Sequence, residues 1–232
     1  MNSSELNNMN KNELIKIAKE LEIRYTGSKK IIIDNILDGR KEQYIIINQL
    51  GDAGKDAKTY YVKLGKKKFA MKQFKPRKSV NKIQDEVELQ LIAAKSNISP
   101  DIIEVNEKHK YIVMNKLDKH LVDIHDEKKI SLDHQKQLIK IYKTLDNVGI
   151  FHGDPNPLNY MIKNKKLYVI DFGMSKKIDS KLEKKLNTNQ PNLTIMTLAM
   201  VLKLKAMNYP KDSYSYLLTH IPVETRHNFQ LI

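Results

Sequence analysis

Two carboxylates and a carboxamide fall close together in the second half of the chain: Asp154, then Asn159, then Asp171 at the head of Asp171-Phe172-Gly173. Side chains of these types suit transfer of a phosphoryl group from a nucleotide. That reaction needs divalent metal ions to neutralise the phosphates and a group to orient the attacking hydroxyl. On this reading Asp154 orients the hydroxyl or accepts its proton. Asn159 and Asp171 hold Mg²⁺ or Mn²⁺ against the phosphates of ATP, and Gly173 lets the backbone turn sharply after the metal ligand. The first two belong to the run Phe151-His152-Gly153-Asp154-Pro155-Asn156-Pro157-Leu158-Asn159. His152 reads as a histidine that braces this loop rather than one that carries a proton.

The elements that must position these residues are legible on either side. Tyr44–Leu50, Thr59–Leu64 and Lys68–Phe74 are short runs rich in Ile, Val, Tyr and Phe, separated by Gly, Asp and Lys turns, and predict three antiparallel strands. Val80–Ser96 has helical periodicity through Ile83, Val87, Leu91 and Ala94, and Ile102–Asn106 with Tyr111–Leu117 brings the strand count to five. From about residue 118 the chain turns helical. Ser131–Val148 carries Leu132, Ile139, Tyr142 and Leu145 on its apolar side, short strands fall near Tyr160–Ile162 and Leu167–Ile170, and helices follow at about 180–187, 192–207 and 212–219. At the front, Leu14, Ile17, Ala18 and Leu21 form one helical stripe that Asn10 is placed to cap. After a link containing Thr26-Gly27-Ser28, a second helix repeats the pattern with Ile32, Ile33, Ile36 and Leu37. Two short helices bury little surface alone, so they must pack tightly on each other or dock on the rest.

The loop and the Asp-Phe-Gly together resemble the catalytic loop and metal-binding motif of the protein-kinase-like superfamily. His-Gly-Asp in place of His-Arg-Asp is similar to the small kinase of the tRNA-threonylcarbamoylation complex and to aminoglycoside-type phosphotransferases, and the intact Asp-Phe-Gly favours the former. The resemblance implies an α+β, two-lobed fold. Residues 41–117 would form an N-lobe with a five-stranded antiparallel sheet and one main helix, residues 118–232 a reduced and mostly helical C-lobe, and residues 1–40 a two-helix module before them. It also implies roles upstream. Leu50-Gly51-Asp52-Ala53-Gly54 resembles the glycine-rich loop that covers the phosphates, with Gly51 and Gly54 in place but Ala53 and Ala57 where glycines are commonest. Lys72, in Phe69-Ala70-Met71-Lys72, resembles the third-strand lysine that reaches the α- and β-phosphates. Its ion-pair partner would be Glu86, favoured by the spacing to Asn97-Ile98, with Glu88 as the alternative. Tyr111–Leu117 resembles the fifth strand entering the inter-lobe hinge. Met114 would border the adenine, and the backbone of Asn115 to Leu117, Lys116 included, would hydrogen-bond the base. A plain core methionine is the other reading of Met114.

The chain also departs from that pattern. Only 59 residues follow Gly173, and no Ala-Pro-Glu anchor is present. No aspartate lies between residues 180 and 211, where the superfamily often uses one to brace the catalytic loop, and Asn156 stands where protein kinases usually have lysine. The short C-lobe resembles that of the tRNA-modification kinase and argues against classical peptide docking. The implied activity is ATP-dependent transfer to Ser or Thr hydroxyls of a protein substrate, the chain itself included. A nucleotide-binding or DNA-tethered scaffold is the alternative. A small-molecule phosphotransferase is disfavoured, because those enzymes usually need a larger helical C-lobe.

The formal net charge is +14, and residues 1–40 contribute almost none of it, with 7 Lys/Arg against 6 Asp/Glu. The basic field of the remainder attracts polyanions such as ATP, nucleic acid or acidic protein surfaces. The N-terminal pair resembles a SAP-type helix-extension-helix module. That resemblance implies a DNA or other polyanion partner at Ser28, Lys29 and Lys30, where a second helix begins; a helical hairpin used only for packing is the competing reading. The absence of cysteine excludes a disulfide scaffold and thiolate chemistry. No apolar run approaches the roughly 20 residues that span a bilayer, and the polar stretch Met1 to Asn12 is unlike a signal peptide. A soluble, intracellular protein with no membrane partner is therefore expected.

Overall fold

Asn10 starts the first long helix with a reciprocal cap. Its side chain accepts from the N–H groups of Asn12 (3.0 Å) and Glu13 (3.1 Å), and the Glu13 carboxylate accepts from the Asn10 N–H at 2.7 Å. The computed structural model describes residues 3–123 and 129–231. It divides into two units, residues 1–85 with 101–116, and residues 86–100 with 117–232.

The first unit begins with α1 (Ser3–Asn8), α2 (Lys11–Glu20) and α3 (Lys29–Gln43). Two helices were expected here and three are found. Leu6 of α1 is fully buried with Leu14, Ala18, Ile32, Ile33, Ile36 and Leu37, so the extra helix helps to enclose a small core that two helices would leave open. This module is tied to the sheet that follows. Asn106 Nδ2 donates to the Leu37 carbonyl at 3.1 Å, Lys108 Nζ reaches Asp38 at 2.8 Å, and His109 Nε2 bonds the same carboxylate. Burial alone would raise the Asp38 pKa, but the hydrogen bonds and charge from Lys108 and His109 outweigh it and leave it lowered.

The sheet consists of β1 (Ile45–Leu50), β2 (Ala57–Leu64), β3 (Lys67–Phe74), β4 (Ile102–Asn106) and β5 (Tyr111–Asn115), in the order β1-β2-β3-β5-β4 and antiparallel throughout. Alternate side chains explain its buried face: Val62 from β2, Phe69 and Met71 from β3, and Tyr111 and Val113 from β5 pack with Tyr44. Inside the same unit the buried Glu104 carboxylate accepts from the hydroxyls of Tyr44 (3.0 Å) and Tyr111 (2.8 Å). Between β3 and β4 runs α4 (Val80–Lys95), which begins in the first unit and ends in the second.

The second unit adds β6 (Lys119–His120), α5 (Leu132–Asn147), β7 (Ile150–Phe151), β8 (Tyr160–Lys163), β9 (Lys166–Val169), β10 (Lys176–Lys177) and α6 (Ser180–Leu186). A π-helical stretch, Asn192–Met196, then runs into α7 (Thr197–Ala206), and α8 (Ser215–Leu218) and α9 (Val223–Asn228) follow. β6, β8 and β9 form one small sheet, and β7 pairs with β10. α5 is capped by Ser131 and buries Leu138, Ile139, Ile141, Tyr142 and Leu145 against Tyr160, Val169, Met200 and Leu204. Leu132, expected on that apolar face, lies in the first turn and is exposed. The five-stranded sheet and the small helical part give the α+β, kinase-like fold expected from the sequence.

Candidate active site

The chain leaves β7 at Phe151 and enters a loop fixed by its own backbone. His152 is fully buried, with Nδ1 3.1 Å from the Asp154 carbonyl and Nε2 3.1 Å from that of Ile170. Burial lowers its pKa against the opposing pull of those carbonyls and of the nearby Asp154 and Asp171 charges. Its ring meets Phe172 edge-on at 5.3 Å between centroids, and its carbonyl accepts from Ser175 Oγ at 3.0 Å. Gly153 has φ +76°, and a Cβ there would stand 3.0 Å from the Met174 carbonyl oxygen. Backbone conformation and space therefore both require glycine.

Asp154 and Asn159 are in direct contact. Asn159 Nδ2 donates to Asp154 Oδ2 at 2.9 Å, and the Asn156 N–H donates to Oδ1 at 3.1 Å. Asn159 ends a 3₁₀ turn begun by Pro157, whose first free N–H, that of Leu158, is capped by the Asn156 side chain at 3.1 Å. Asn156 is thus a turn-maker where a lysine was the usual residue. The Ile170 N–H donates to the Asn159 carbonyl at 2.9 Å, which ties the loop to the strand leading into Asp171. Asp171 sits at φ 64° and ψ 76°, a left-handed conformation that costs a non-glycine residue energy, and its Oδ1 accepts from the Gly173 N–H at 3.3 Å. Such strain persists only where the surroundings over-determine it.

Among the described residues no three His, Cys, Asp or Glu side chains converge as a self-sufficient metal cage. Asn159 and Asp171 instead offer one amide and one carboxylate oxygen donor. That hard, incomplete set fits Mg²⁺, which takes few protein ligands and completes its shell with phosphates and water. Asn159 suits the task, because its amino group is engaged by Asp154 and its oxygen remains the acceptor. Of the two helix glutamates, Glu86 is buried, whereas Glu88 is exposed and pairs with Lys177 at 2.7 Å.

The remaining expected residues belong to the first unit. Lys72 lies on β3 between Thr59 and Ile112, with Nζ 5.5 Å from the Phe74 ring centroid. Lys78 is over the same ring at 4.8 Å and is itself buried. Met114 is buried opposite Ala70, and Lys116 Nζ stands 5.6 Å over the Tyr61 ring. Gly51 is left-handed at φ +63°, and residues 51–56 are exposed. In the N-terminal module Lys29 and Lys30 line a recess of about 510 Å³ with Lys108, and Lys29 Nζ donates to the Asn7 carbonyl at 2.6 Å.

Sequence reasoning missed Asn192, which is fully buried and accepts from the His152 N–H at 3.0 Å. A search for aspartate passes over it. The one available signal is its place after Pro191 at the start of a helical stretch. Among the described residues no helix is long and apolar enough to cross a membrane.

Residues 43–187 match the RIO domain, a branch of the protein-kinase-like superfamily, and residues 1–42 and 188–232 lie outside the match. Comparison with curated proteins gives no match.

Proposed function

We infer that this chain, which belongs to the RIO domain family, transfers the γ-phosphate of ATP to Ser or Thr hydroxyls of a protein, its own included. RIO domains are atypical kinases that use ATP. The observation that carries the reading is the hold on Asp154, whose two carboxylate oxygens each accept one donor, from Asn159 Nδ2 and the Asn156 N–H. A carboxylate gripped in this way has a fixed direction. It is suited to orienting a hydroxyl for in-line attack, which is what a loose phosphoryl-transfer transition state asks of the protein.

Asn159 and Asp171 are the residues to hold Mg²⁺, which when bound neutralises charge on the phosphates. Lys72 is the cation proposed for the α- and β-phosphates, and Gly51 and Gly54 supply backbone N–H groups above them. The engagement of Glu88 by Lys177 supports Glu86 as the functional glutamate of α4. Met114 and the backbone at Lys116 are proposed to meet the adenine.

The test is transfer of labelled γ-phosphate, with Mg²⁺ or Mn²⁺, to the protein itself and to a basic model protein, beside Lys72→Ala and Asp171→Ala. Label in wild type that vanishes in both variants is the expected result. A wild-type protein that binds Mg·ATP but labels no acceptor and releases no phosphate overturns the transferase reading and leaves a nucleotide-binding scaffold.

A further inference from the structure

We infer that Asn192 and Asp146 act as one unit that positions the catalytic loop, a neutral side chain and a second carboxylate together replacing the single aspartate brace of related kinases. The inference rests on the transferase reading for its kinetic readout but not for its structural one.

Every polar atom of the Asn192 side chain is used. Oδ1 accepts from the His152 N–H at 3.0 Å, and Nδ2 donates to the Ile150 carbonyl at 2.7 Å and to Asp146 Oδ1 at 2.7 Å. Asp146 lies one residue before the end of α5. Its Oδ1 also accepts from the Asn192 N–H at 3.0 Å, and its Oδ2 accepts from the Leu193 N–H at 2.9 Å. The carboxylate therefore caps the otherwise unpaired N–H groups at the start of the π-helical stretch, where the helix dipole favours a negative charge. In the same contact it orients the Asn192 amide. The orientation matters because a flipped amide would set oxygen against the Ile150 carbonyl and an amino group against the His152 N–H. The path from Asp146 through Asn192 to the His152 backbone continues through the His152 ring to the carbonyls of Asp154 and Ile170. One buried amide thus joins α5, the head of α7 and the loop that holds Asp154. The π-helical winding fits this use, since such turns collect at functional sites.

Charge complementarity inside the unit makes it testable. Aspartate at 192 would keep the bond to His152 but turn an oxygen toward the Ile150 carbonyl and the Asp146 carboxylate. Asparagine at 146 would turn an amino group toward one of its N–H donors. The double exchange restores one donor and one acceptor across the contact. These are positioning residues, because neither touches substrate.

The experiment uses the full chain and four variants: Asn192→Ala, Asn192→Asp, Asp146→Asn, and the exchange Asn192→Asp with Asp146→Asn. Amide hydrogen exchange across residues 150–154 and steady-state kinetics with ATP are measured on each, with thermal melting to establish folding. Asn192→Ala is expected to speed exchange at 150–154 about ten-fold and to lower kcat about ten-fold, with KM for ATP changed less than two-fold. Asn192→Asp and Asp146→Asn should each impair both readouts, and the exchange should recover a substantial part of the loss. If Asn192→Ala does not fold, the near-isosteric Asn192→Asp, Asp146→Asn and their combination still decide the matter. The inference is overturned if exchange at 150–154 is unchanged in the folded single variants, or if the double exchange is no better than its worse parent. Should wild type transfer no phosphate, the transferase reading fails by itself, and the exchange measurements still confirm or overturn the brace.

Discussion

The loop around Asp154 and the loop beginning at Gly51 are both expected to face the nucleotide, yet they are built in opposite ways. Between Ile150 and Ser175 the backbone is held by His152, Asn159, Asn192 and Ser175 through bonds of 2.7–3.1 Å, and His152 and Asn192 are fully buried. Residues 51–56 are exposed, and their prominent tethers are Gln49 Nε2 to the Gly51 carbonyl, Lys75 N–H to the Asp56 carbonyl, and Arg77 reaching the Lys55 carbonyl and the Asp56 carboxylate. The lesson is a division of labour. The loop that carries Asp154 is fixed by buried bonds before any ligand arrives, while the loop at residues 51–56 is held by exposed ones and is free to adapt.

The sharpest way to break that comparison is to place alanine at the left-handed glycine of each loop. Gly51→Ala meets nothing within 4 Å, so it carries only the backbone penalty of a left-handed residue, roughly 1–2 kcal/mol. Gly153→Ala carries the same penalty and also sets its Cβ 3.0 Å from the Met174 carbonyl. It should therefore lower stability by about 2–4 kcal/mol, displace Asp154, and reduce kcat by about a hundred-fold. Chemical denaturation and steady-state kinetics on the two variants check this. Equal losses would mean that the Asp154 loop is no more rigid than the other.

The different construction also explains what could be read from the sequence. The strands of the five-stranded sheet were visible because alternate residues such as Phe69 and Met71 face one core, a pattern that survives without tertiary information. The types and spacing of Asp154, Asn159 and Asp171 were visible for a similar reason: they lie on one short stretch, and Asn159 contacts Asp154 only five residues away. Asn192 was not, because its meaning lies in a bond to a backbone N–H 40 residues earlier and in the Asp146 carboxylate that orients it. Nor does a 3.6-residue periodicity reveal that the helix expected at 192–207 opens as a π-helix. Leu6 escaped notice because α1 is only 6 residues long, too short for a stripe to show.

A smaller effect tests the adaptable side. Arg77→Ala removes the tethers to Lys55 and Asp56, an exposed contact with the Arg77 side chain 60% accessible. Exposed pairs of this kind contribute little to stability. Melting should be unchanged, and KM for ATP should shift by about three-fold or less with kcat unaltered. A fall in kcat comparable to that of Gly153→Ala would show that the residue 51–56 loop is prearranged after all.

The smallest predicted effect separates the regions by pH. Buried His152 has a lowered pKa, so on acidification the unfolded chain takes up the proton first. Its contribution to stability is full above the ordinary histidine value of about 6.5 and is lost as pH falls below that value toward the lowered one. Asp146 has the opposite sign. Burial, only partly offset by the Asn192 and Leu193 donors, raises its pKa, so the native state protonates first and acidification relieves the cost of holding that charge. In the first unit Asp38 is lowered, so the stability it lends to the docked N-terminal helices is present above its ordinary value of about 3.8 and fades only below it. Hydrogen exchange between pH 7 and pH 5 should therefore loosen residues 150–154 first and leave α3 protected, and a His152→Gln variant should flatten the pH dependence of the loop. Simultaneous loosening of both regions would mean that neither titration is local.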